Sequence, residues 1–395
     1  MVVSGLSETP GNVSNWLPDP IHPILTHCRQ RPMSRYAARR EKLRRSFRKA
    51  GVDALLITNF TNVTYLTGFT GDDSYLLVLS KGEVLVSDPR YTTQLEQECP
   101  GLEASIRPPG LGMVEGVANV IQSGRVNKLG IEGGSMTVAL RDQIAVAASK
   151  ATLVSTSDLV ENLRIIKDKD EISEIRRAIW IAERAFGVLK ASLRPERTEK
   201  EVADELENQT RLYGAKACSF PPIVAVGARA ALPHARPTDQ KIGADDFVLV
   251  DWGADAGPYK SDLTRVLVTG KIPPKLERIY RVVLSAQEQA IAAIRSGISC
   301  HEVDLVARNI IAKAGFAKNF GHGLGHGIGL DIHEAPRLAA KQQTVLEPGM
   351  VVTVEPGIYL PGFGGVRIED DILVTKGGCE VLTTLGKQWE DALVA

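Results

Sequence analysis

Short apolar segments alternate with helical periodicities along the first part of the chain. Segments such as "VDALLIT", "SYLLVLS", "GEVLVSD" and "KLGIEG" are apolar runs bounded by turn-forming residues, which is typical of buried strands. This pattern predicts a small α/β domain over residues 34–157. Residues 1–33 carry several prolines without sustained periodicity, and we expect them to form a loosely ordered extension.

The second part of the chain begins with helices and continues with strands. "TSDLVENLRIIKDKDEISEIRRAIWIAERAFGVLKASL" predicts a long amphipathic helix capped by Ser157 or Asp158, and "EKEVADELENQTRLYG" predicts another helix. Strand-like runs follow in "DDFVLVDWGA", "DLTRVLVTG", "MVVTVEPGIY" and "GGVRIEDDILVT". The predicted fold class of residues 158–395 is therefore α+β.

The composition is that of an ordinary globular protein, with 44% hydrophobic and 24% charged residues. Lys plus Arg equals Asp plus Glu at 47 each, so no overall charge draws the chain to nucleic acid or to a membrane. A local basic run extends from Arg39 to Lys49, with apolar residues at helical spacing beside it. We interpret this run as a solvated helix face.

The five cysteines are scattered and form no C-x-x-C pair, which argues against a disulfide framework and against a cysteine metal site. The chain has no apolar run of the roughly 18–20 residues that a membrane span requires. It also lacks a basic region followed by a hydrophobic segment at its start. We therefore expect a reducing compartment and a cytoplasmic location.

Three histidines lie among closely spaced glycines in "NFGHGLGHGIGLDIHE", residues 319–334. The phosphate-binding spacing G-x-G-x-x-G is not satisfied there, and the chain contains no G-x-x-x-x-G-K-[ST]. The nucleophile motif G-x-S-x-G is also absent from the sequence. Phosphate cradling and nucleophilic catalysis by the protein thus have little support, and a metal site needs to be considered.

Four carboxylates in strand contexts would suit a metal site. Asp251 ends one predicted strand and Asp262 lies eleven residues on, a spacing suited to adjacent antiparallel strands joined by a turn. Glu355 and Glu369 repeat this arrangement fourteen residues apart. An ionised carboxylate buried alone is costly, so four of them in apolar runs indicate bound cations.

Four carboxylates with one imidazole would balance two divalent metal ions and leave room for a bridging hydroxide. Oxygen-rich ligation with one nitrogen favours Mn²⁺, with Co²⁺, Zn²⁺ or Fe²⁺ as alternatives. Taken singly, each residue has a plainer interpretation: a strand-end Asp often caps a turn, a lone His often packs, and glycines often serve only backbone freedom. The joint occurrence favours the metal site.

Five ordered motifs resemble those of the pita-bread fold metallopeptidases. They are "ALPHARPTD", "VDWGADAGPYKSDLTR", "GHGLGHGIGLDIHEAP", "TVEPGIY" and "VRIEDD". The resemblance implies a C-terminal pita-bread catalytic domain, an antiparallel sheet with flanking helices, over residues 158–395. Residues 34–157 resemble, more weakly, the N-terminal domain of prolidases, proline aminopeptidases and creatinase. An α/β creatinase-like domain is therefore implied ahead of the catalytic domain.

The resemblance also implies the roles of particular residues. The implied metal ligands are Asp251, Asp262, His326, Glu355 and Glu369. The implied catalytic residues are His234, His333, Glu355 and Arg367. The implied substrate-binding residues are His234, His322, His333 and Arg337. In sites of this kind Asp262 and Glu369 contact both ions, and Arg367 orients the neighbouring glutamate.

The activity implied by the resemblance is that of an Xaa-Pro aminopeptidase, which uses a metal-bridging hydroxide to cleave the bond between an N-terminal residue and proline. An Xaa-Pro dipeptidase, or prolidase, is the alternative, favoured if Arg337 holds the carboxylate of a dipeptide. A creatinase-like amidinohydrolase and an inactive binding module are remoter alternatives, and the five intact ligands argue against both. The implied partners are small peptides with proline in second position and a second copy of the chain in a homodimer.

Overall fold

The computed structural model describes residues 34–271 and 273–394. The extension predicted for residues 1–33 lies outside the described residues. From Arg35 onward the chain packs as one unit. Within the described residues, no helix combines the length and the apolar character that a membrane crossing requires.

A mixed six-stranded sheet with helices forms the N-terminal part, which confirms the predicted α/β class. Its strands are β1 (Ala54–Ile57), β2 (Tyr75–Leu79), β3 (Glu83–Ser87), β4 (Ala104–Ile106), β5 (Lys128–Glu132) and β6 (Thr152–Thr156). They lie in the order β4-β3-β2-β1-β5-β6, with β1 antiparallel to β2 and parallel to β5. The helices of this part are α1 (Arg35–Ala50), α2 (Phe60–Thr67), α3 (Thr92–Glu98), α4 (Met113–Ser123) and α5 (Val138–Ala147).

Both faces of this sheet are buried. Along β1, Leu55 and Ile57 pack in a hydrophobic cluster that includes residues of α1, whereas Ala54 and Leu56 pack in a cluster that includes residues of α4. Successive residues of a strand point to opposite faces, so helices cover the sheet on both sides. This is why the sequence shows continuous apolar runs here instead of an alternating pattern.

The C-terminal part combines antiparallel strands with long helices, which confirms the predicted α+β class. Its helices are α6 (Glu161–Arg164), α7 (Lys169–Ser192), α8 (Glu199–Leu212), α9 (Pro274–Ala293) and α10 (Cys300–Lys313). Its strands are β7 (Ala217–Cys218), β8 (Ile223–Val226), β9 (Phe247–Trp252), β10 (Ala254–Asp255), β11 (Leu263–Val268), β12 (Gly325–Gly327), β13 (Glu334–Leu338), β14 (Val351–Val354), β15 (Gly357–Leu360), β16 (Gly364–Arg367), β17 (Asp370–Val374) and β18 (Cys379–Val381).

Two antiparallel sheets organise this part. One has the order β11-β9-β8 and the other the order β13-β12-β14-β17-β18. A bridge between Thr264 and Glu369 connects them. One hydrophobic cluster includes residues of β9, β14, α9 and α10, so the strands are anchored by a shared core. The four carboxylates singled out from the sequence lie at or next to the ends of these anchored strands.

The long amphipathic helix begins later than predicted. Neither Ser157 nor Asp158 caps it, because α6 spans four residues and α7 starts only at Lys169. The side chain of Asp168 accepts hydrogen bonds from the backbone N–H groups of Asp170 and Glu171, and the Glu171 carboxylate accepts one from the Asp168 N–H. This reciprocal capping box fixes the start of α7.

The interpretation of the basic run on α1 as a solvated face is wrong for two of its residues. Arg39 and Arg40 are only 5% and 8% exposed. Arg39 pairs with Asp168 at 2.8 Å and with Glu171 at 3.0 Å, and Arg40 pairs with Glu83 at 2.7 Å. A buried arginine is tolerated when it is paired, and periodicity cannot reveal partners that are distant in sequence.

Candidate metal centre and active site

The first pair of predicted ligands lies at one end of an antiparallel strand pair. Asp251 lies in β9, and Asp262 immediately precedes β11. The two strands pair antiparallel, with Asp251 opposite Thr264. The spacing in the sequence predicted this arrangement. Both side chains are buried, with Asp251 7% and Asp262 5% exposed.

The second pair of predicted ligands lies at the end of another antiparallel ladder. Glu355 directly follows β14, and Glu369 directly precedes β17. The ladder of β14 and β17 ends at the pair Val354 and Asp370, so the two glutamates emerge at the same end. The bridge from Glu369 to Thr264 places this end beside the first pair of ligands.

His326 reaches the same place from the glycine-rich segment. Its strand, β12, lies between β13 and β14, and its backbone N–H donates to Thr353 Oγ1 at 3.1 Å. A Cβ atom on Gly325 would lie 2.0 Å from the Thr353 carbonyl oxygen, and one on Gly327 would lie 2.2 Å from the Ala335 carbonyl oxygen. Glycine is required at both positions because only it allows so close an approach of the neighbouring backbone.

The hydrogen bonds of His326 leave one ring nitrogen free to bind a cation. Its Nδ1 lies 3.1 Å from the Gly327 carbonyl oxygen, which can only accept, so Nδ1 carries the proton. Burial, together with the neighbouring His333, lowers the pKa of His326 to about 4 and keeps the ring neutral. The lone pair of Nε2 therefore faces Asp262 Oδ2 at 3.6 Å and Glu355 Oε1 at 3.4 Å.

The donor set fits divalent cations. Ligand atoms of Asp262, His326 and Glu369 all lie within 4.8 Å of one another. Burial raises the pKa of all four pocket carboxyls, that of Glu355 to about 8, and mutual repulsion adds to the effect at Asp262 and Glu369. Oδ1 of Asp251 is buried without a hydrogen-bond partner among the described residues. Unpaired buried carboxylates of this kind are stabilised by bound metal ions.

Arg367 supplies a positive charge beside this acidic cluster. Its Nη2 donates to Asp251 Oδ2, and its Nε donates to Thr264 Oγ1 at 3.1 Å. The Thr264 hydroxyl in turn donates to Glu369 Oε2 at 2.6 Å. Arg367 thus contacts Asp251 directly and Glu369 through Thr264. One guanidinium offsets only one of the four carboxylates, so holding all four ionised requires further positive charge.

Arg367 also holds one wall of the pocket through a tyrosine. Its Nη1 donates to the Tyr359 hydroxyl at 2.8 Å. That hydroxyl donates to His322 Nε2 at 2.9 Å, because His322 Nδ1 carries its proton toward the Gly323 carbonyl at 2.8 Å. Both ring nitrogens of His322 are therefore engaged within the protein, and His322 presents its ring to the pocket.

All ten residues predicted to form the site line a single cavity of about 710 Å³. They are His234, Asp251, Asp262, His322, His326, His333, Arg337, Glu355, Arg367 and Glu369. Arg337 lies directly opposite His326 in the pairing of β12 with β13, and its side chain is exposed. The rest of the lining is largely apolar and includes Phe220, Pro221, Pro222, Pro233 and Ile332.

Two residues that connect the site were not assigned roles from the sequence. Thr264 bridges Arg367 and Glu369, and Tyr359 bridges Arg367 and His322. Thr264 lies two residues after Asp262, and this alternation along a strand could have placed both on one face. Tyr359 belongs to the "TVEPGIY" motif, but nothing in the sequence shows that its hydroxyl points at a histidine.

Comparison with known proteins places this architecture among peptidases. The family model described as Metallopeptidase family M24 matches residues 173–376, and the model described as Creatinase/Prolidase N-terminal domain matches residues 39–166. An uncharacterized peptidase of Bacillus subtilis (strain 168) is 40% identical over 348 residues, which cover 88% of this chain and 98% of that protein.

Two solved structures are similar over nearly their whole lengths. The Xaa-Pro dipeptidase from Bacillus anthracis has a TM-score of 0.87 and 42% identity, and the match covers 89% of this chain and 99% of that chain. The X-Pro aminopeptidase from Thermotoga maritima MSB8 has a TM-score of 0.81 and 36% identity, and the match covers 87% of this chain and 99% of that chain.

Proposed function

This chain belongs to metallopeptidase family M24, and we propose that it is an Xaa-Pro aminopeptidase, which hydrolyses the bond between an N-terminal residue and a following proline. One observation carries the proposal: four carboxylates, three of them buried, and an unprotonated imidazole nitrogen converge on one cavity. The solved structures of an Xaa-Pro dipeptidase and an X-Pro aminopeptidase support the preference for proline.

The five ligand residues divide between two divalent ions. As the family resemblance implies, Asp262 and Glu369 would be shared by both ions, Asp251 would hold one, and His326 with Glu355 would hold the other. The oxygen-rich donor set favours Mn²⁺. Bound there, the ions would polarise the peptide carbonyl and lower the pKa of a water molecule.

The remaining chemistry belongs to side chains of the pocket. Glu355 accepts a proton from the attacking water and passes it to the leaving nitrogen. His234 and His333 donate hydrogen bonds to the oxyanion that develops on the carbonyl. Arg367 keeps Asp251 oriented through the hydrogen bond from Nη2.

The apolar part of the cavity suits a proline after the scissile bond. Phe220, Pro221, Pro222 and Ile332 line the cavity together with the ligands, and a pyrrolidine ring can pack on such a surface. An X–Pro bond offers no N–H donor, so recognition has to rest on shape and apolar contact. These residues favour the proposed specificity over that of a general aminopeptidase.

Arg337 favours the second candidate function, that of an Xaa-Pro dipeptidase. It lies opposite His326 in the sheet, lines the cavity, and has an exposed side chain. A guanidinium there is suited to bind the free carboxylate of a dipeptide bidentately. An enzyme of this kind would cleave Ala-Pro efficiently and depend on Arg337 to do so.

Three further features are part of the proposal. The chain divides into a creatinase-like domain, residues 34–157, and a catalytic domain, residues 158–395, which the ranges of the two family models support. The enzyme is a homodimer, as the resemblance to this family implies. It acts in the cytoplasm, which is supported by the free thiols of Cys99, Cys218, Cys300 and Cys379.

The test compares hydrolysis of Ala-Pro and of Ala-Pro-Pro after loading with Mn²⁺ and again after chelation. Chelator-sensitive cleavage of only the longer peptide is the expected result. Efficient release from Ala-Pro that is lost in Arg337→Ala, with the tripeptide still cleaved, would establish the dipeptidase. Cleavage of neither peptide would refute both candidates and favour an inactive binding module or a creatinase-like amidinohydrolase.

A further inference from the structure

Arg164 joins three segments of the chain from a buried position. It ends helix α6 and is 3% exposed. Its Nη1 donates to Asn62 Oδ1 at 2.9 Å, and its Nη2 donates to Asp331 Oδ2 at 2.7 Å and to Glu334 Oε1. One guanidinium therefore links α2 of the N-terminal part to the end of the glycine-rich segment.

The two carboxylates held by Arg164 flank His333. Asp331 precedes the histidine by two residues, and Glu334 follows it directly. The Asp331 backbone N–H donates to Glu334 Oε1 at 3.0 Å, which closes the loop between them. Thr61 Oγ1 donates to Asp331 Oδ1 at 3.1 Å, and Lys167 Nζ lies 3.2 Å from Glu334 Oε2. The backbone on both sides of His333 is thus fixed by partly buried polar contacts.

The charges in this cluster are balanced. Burial alone would raise the pKa of Glu334, but Lys167 and Arg164 hold it below its usual value. Two cations, Arg164 and Lys167, therefore face two carboxylates, and without Arg164 Asp331 loses this ion pair while Glu334 keeps only Lys167. Such charge-assisted contacts fix geometry tightly, because a buried charge left without a partner is costly.

The cluster is anchored in the N-terminal part. The amide nitrogen of Asn62 donates to Glu132 Oε1 at 2.8 Å. Glu132 ends β5, and its Oε2 accepts hydrogen bonds from the backbone N–H groups of Thr58 at 2.7 Å and Asn59 at 2.9 Å. Through Asn62 and Glu132, Arg164 therefore connects the loop that carries His333 to the six-stranded sheet.

We infer that Arg164 is a positioning residue, which holds His333 in place over the cavity by fixing Asp331 and Glu334. The inference rests on the proposed function, because the role of His333 toward the substrate belongs to that proposal. The ring centroids of His333 and His326 lie 4.4 Å apart in an edge-on contact, so a small shift of the loop changes the distance from His333 to the scissile bond. A displacement of about 1 Å can lower a rate by about a hundredfold.

A double-mutant cycle on the Mn²⁺-loaded full-length enzyme tests the inference. We expect Arg164→Ala to lower kcat for the peptide that the wild type cleaves by about 10- to 100-fold with a smaller change in KM, because the lost contact develops in the transition state. In a His333→Ala background the same substitution should have little further effect. A residue that only stabilises the fold would instead act independently of His333.

Two companion variants keep the test decisive. Arg164→Lys retains the charge but cannot span two carboxylates, and it is expected to lower kcat in the same His333-dependent way if Arg164→Ala does not fold. Arg176→Ala, which removes an exposed pair with Glu380, is the matched control and should leave kcat unchanged.

The outcomes separate the inference from the proposed function. A wild type that cleaves no Xaa-Pro peptide contradicts the proposed function and the inference with it. An active wild type in which the Arg164 and His333 effects are fully additive overturns the inference alone. An active wild type in which His333→Ala has no effect also overturns it, because nothing would then need to be positioned.

Discussion

Two adjacent residues at the start of β17 show opposite solutions to burying an acid: Glu369 directly precedes the strand and Asp370 begins it. Glu369 and Asp370 are 2% and 1% exposed, and they point to opposite sides of the chain. Glu369 faces the cavity and three other carboxylates. Asp370 faces away from it and accepts hydrogen bonds from Arg265 at 2.8 Å, Lys387 at 2.6 Å and Gln287 at 2.8 Å.

The difference lies in where the compensating charge comes from. Although burial alone would raise it, Arg265 and Lys387 hold the pKa of Asp370 below its usual value. On the other side, burial and the neighbouring carboxylates raise the pKa of Glu369 well above its usual value, despite Arg367. The chain supplies its own cations to Asp370, whereas under the proposed function metal ions would complete the cavity cluster. Burial therefore serves stability on one side and chemistry on the other.

The largest expected effect comes from removing a charge on the cavity side. We expect Asp262→Asn to abolish peptide cleavage and to weaken Mn²⁺ binding. Even mutations of residues that only hydrogen-bond to metal ligands commonly lower metal affinity or activity by about 10- to 100-fold. The metal-free variant should be at least as stable as the metal-free wild type, because one repelling charge is gone. Calorimetric Mn²⁺ titration and thermal unfolding with chelator measure the two effects.

The control for this variant is Asp204→Asn, which removes an exposed carboxylate paired with Lys200 on helix α8. It should leave Mn²⁺ binding, cleavage and Tm essentially unchanged. If Asp262→Asn bound Mn²⁺ as the wild type does, the cavity carboxylates would not be metal ligands, and the contrast with Asp370 would lose its explanation.

The next largest effect is the loss of stability expected when Asp370, which faces away from the cavity, is changed to asparagine. Asp370→Asn leaves Arg265 buried without its carboxylate, and removing one member of a buried ion pair costs about 3–5 kcal/mol. The loss should be the same with and without Mn²⁺, since Asp370 lies outside the cavity. Urea unfolding in chelator and in Mn²⁺ measures it. A loss confined to the Mn²⁺-loaded protein would place Asp370 in the metal site after all.

The sequence predicted the cavity side better than the opposite side. The strands around Asp251 and Glu355 appeared as apolar runs with one acid at the end, and such acids are rare enough to be noticed. Asp370 follows Glu369 directly, and its partner Lys387 is distant in sequence, so no local pattern shows that it is neutralised. The ligand roles stay predictions.

The same limit explains the errors on α1 and α7. Arg39 looked solvated because charge on a helix is usually exposed, and its partners Asp168 and Glu171 lie far along the chain. The start of α7 was missed because several residues before it could cap a helix, and only the capping box at Asp168 decided between them. The periodicity of the sequence shows neither ion pairs between distant residues nor which of several possible capping residues starts a helix.

The smallest expected effect is a pH dependence that separates the two sides. In the metal-free protein the cavity carboxyls have raised pKa values, about 8 for Glu355. Their contribution to stability is therefore fully present below the pKa of the unfolded chain, about 4, and is lost as the pH rises through the pKa values of the folded protein. Asp370 has a lowered pKa, so its contribution to stability is present above a pH of about 4. That contribution is lost only at lower pH.

Between pH of about 7 and 8.5, therefore, the cavity carboxyls change their protonation and Asp370 does not, and the histidines with lowered pKa values affect stability mainly below this range. The Tm of the chelated protein should fall by a few degrees across this range, because ionising the clustered carboxyls without cations costs free energy. In saturating Mn²⁺ the carboxylates stay ionised throughout, so this contribution to the slope should disappear. Circular dichroism melts in chelator and in Mn²⁺ measure both slopes. Equal slopes would mean that the cavity carboxylates are ionised without metal, and the two sides of the strand would then differ only in their neighbours.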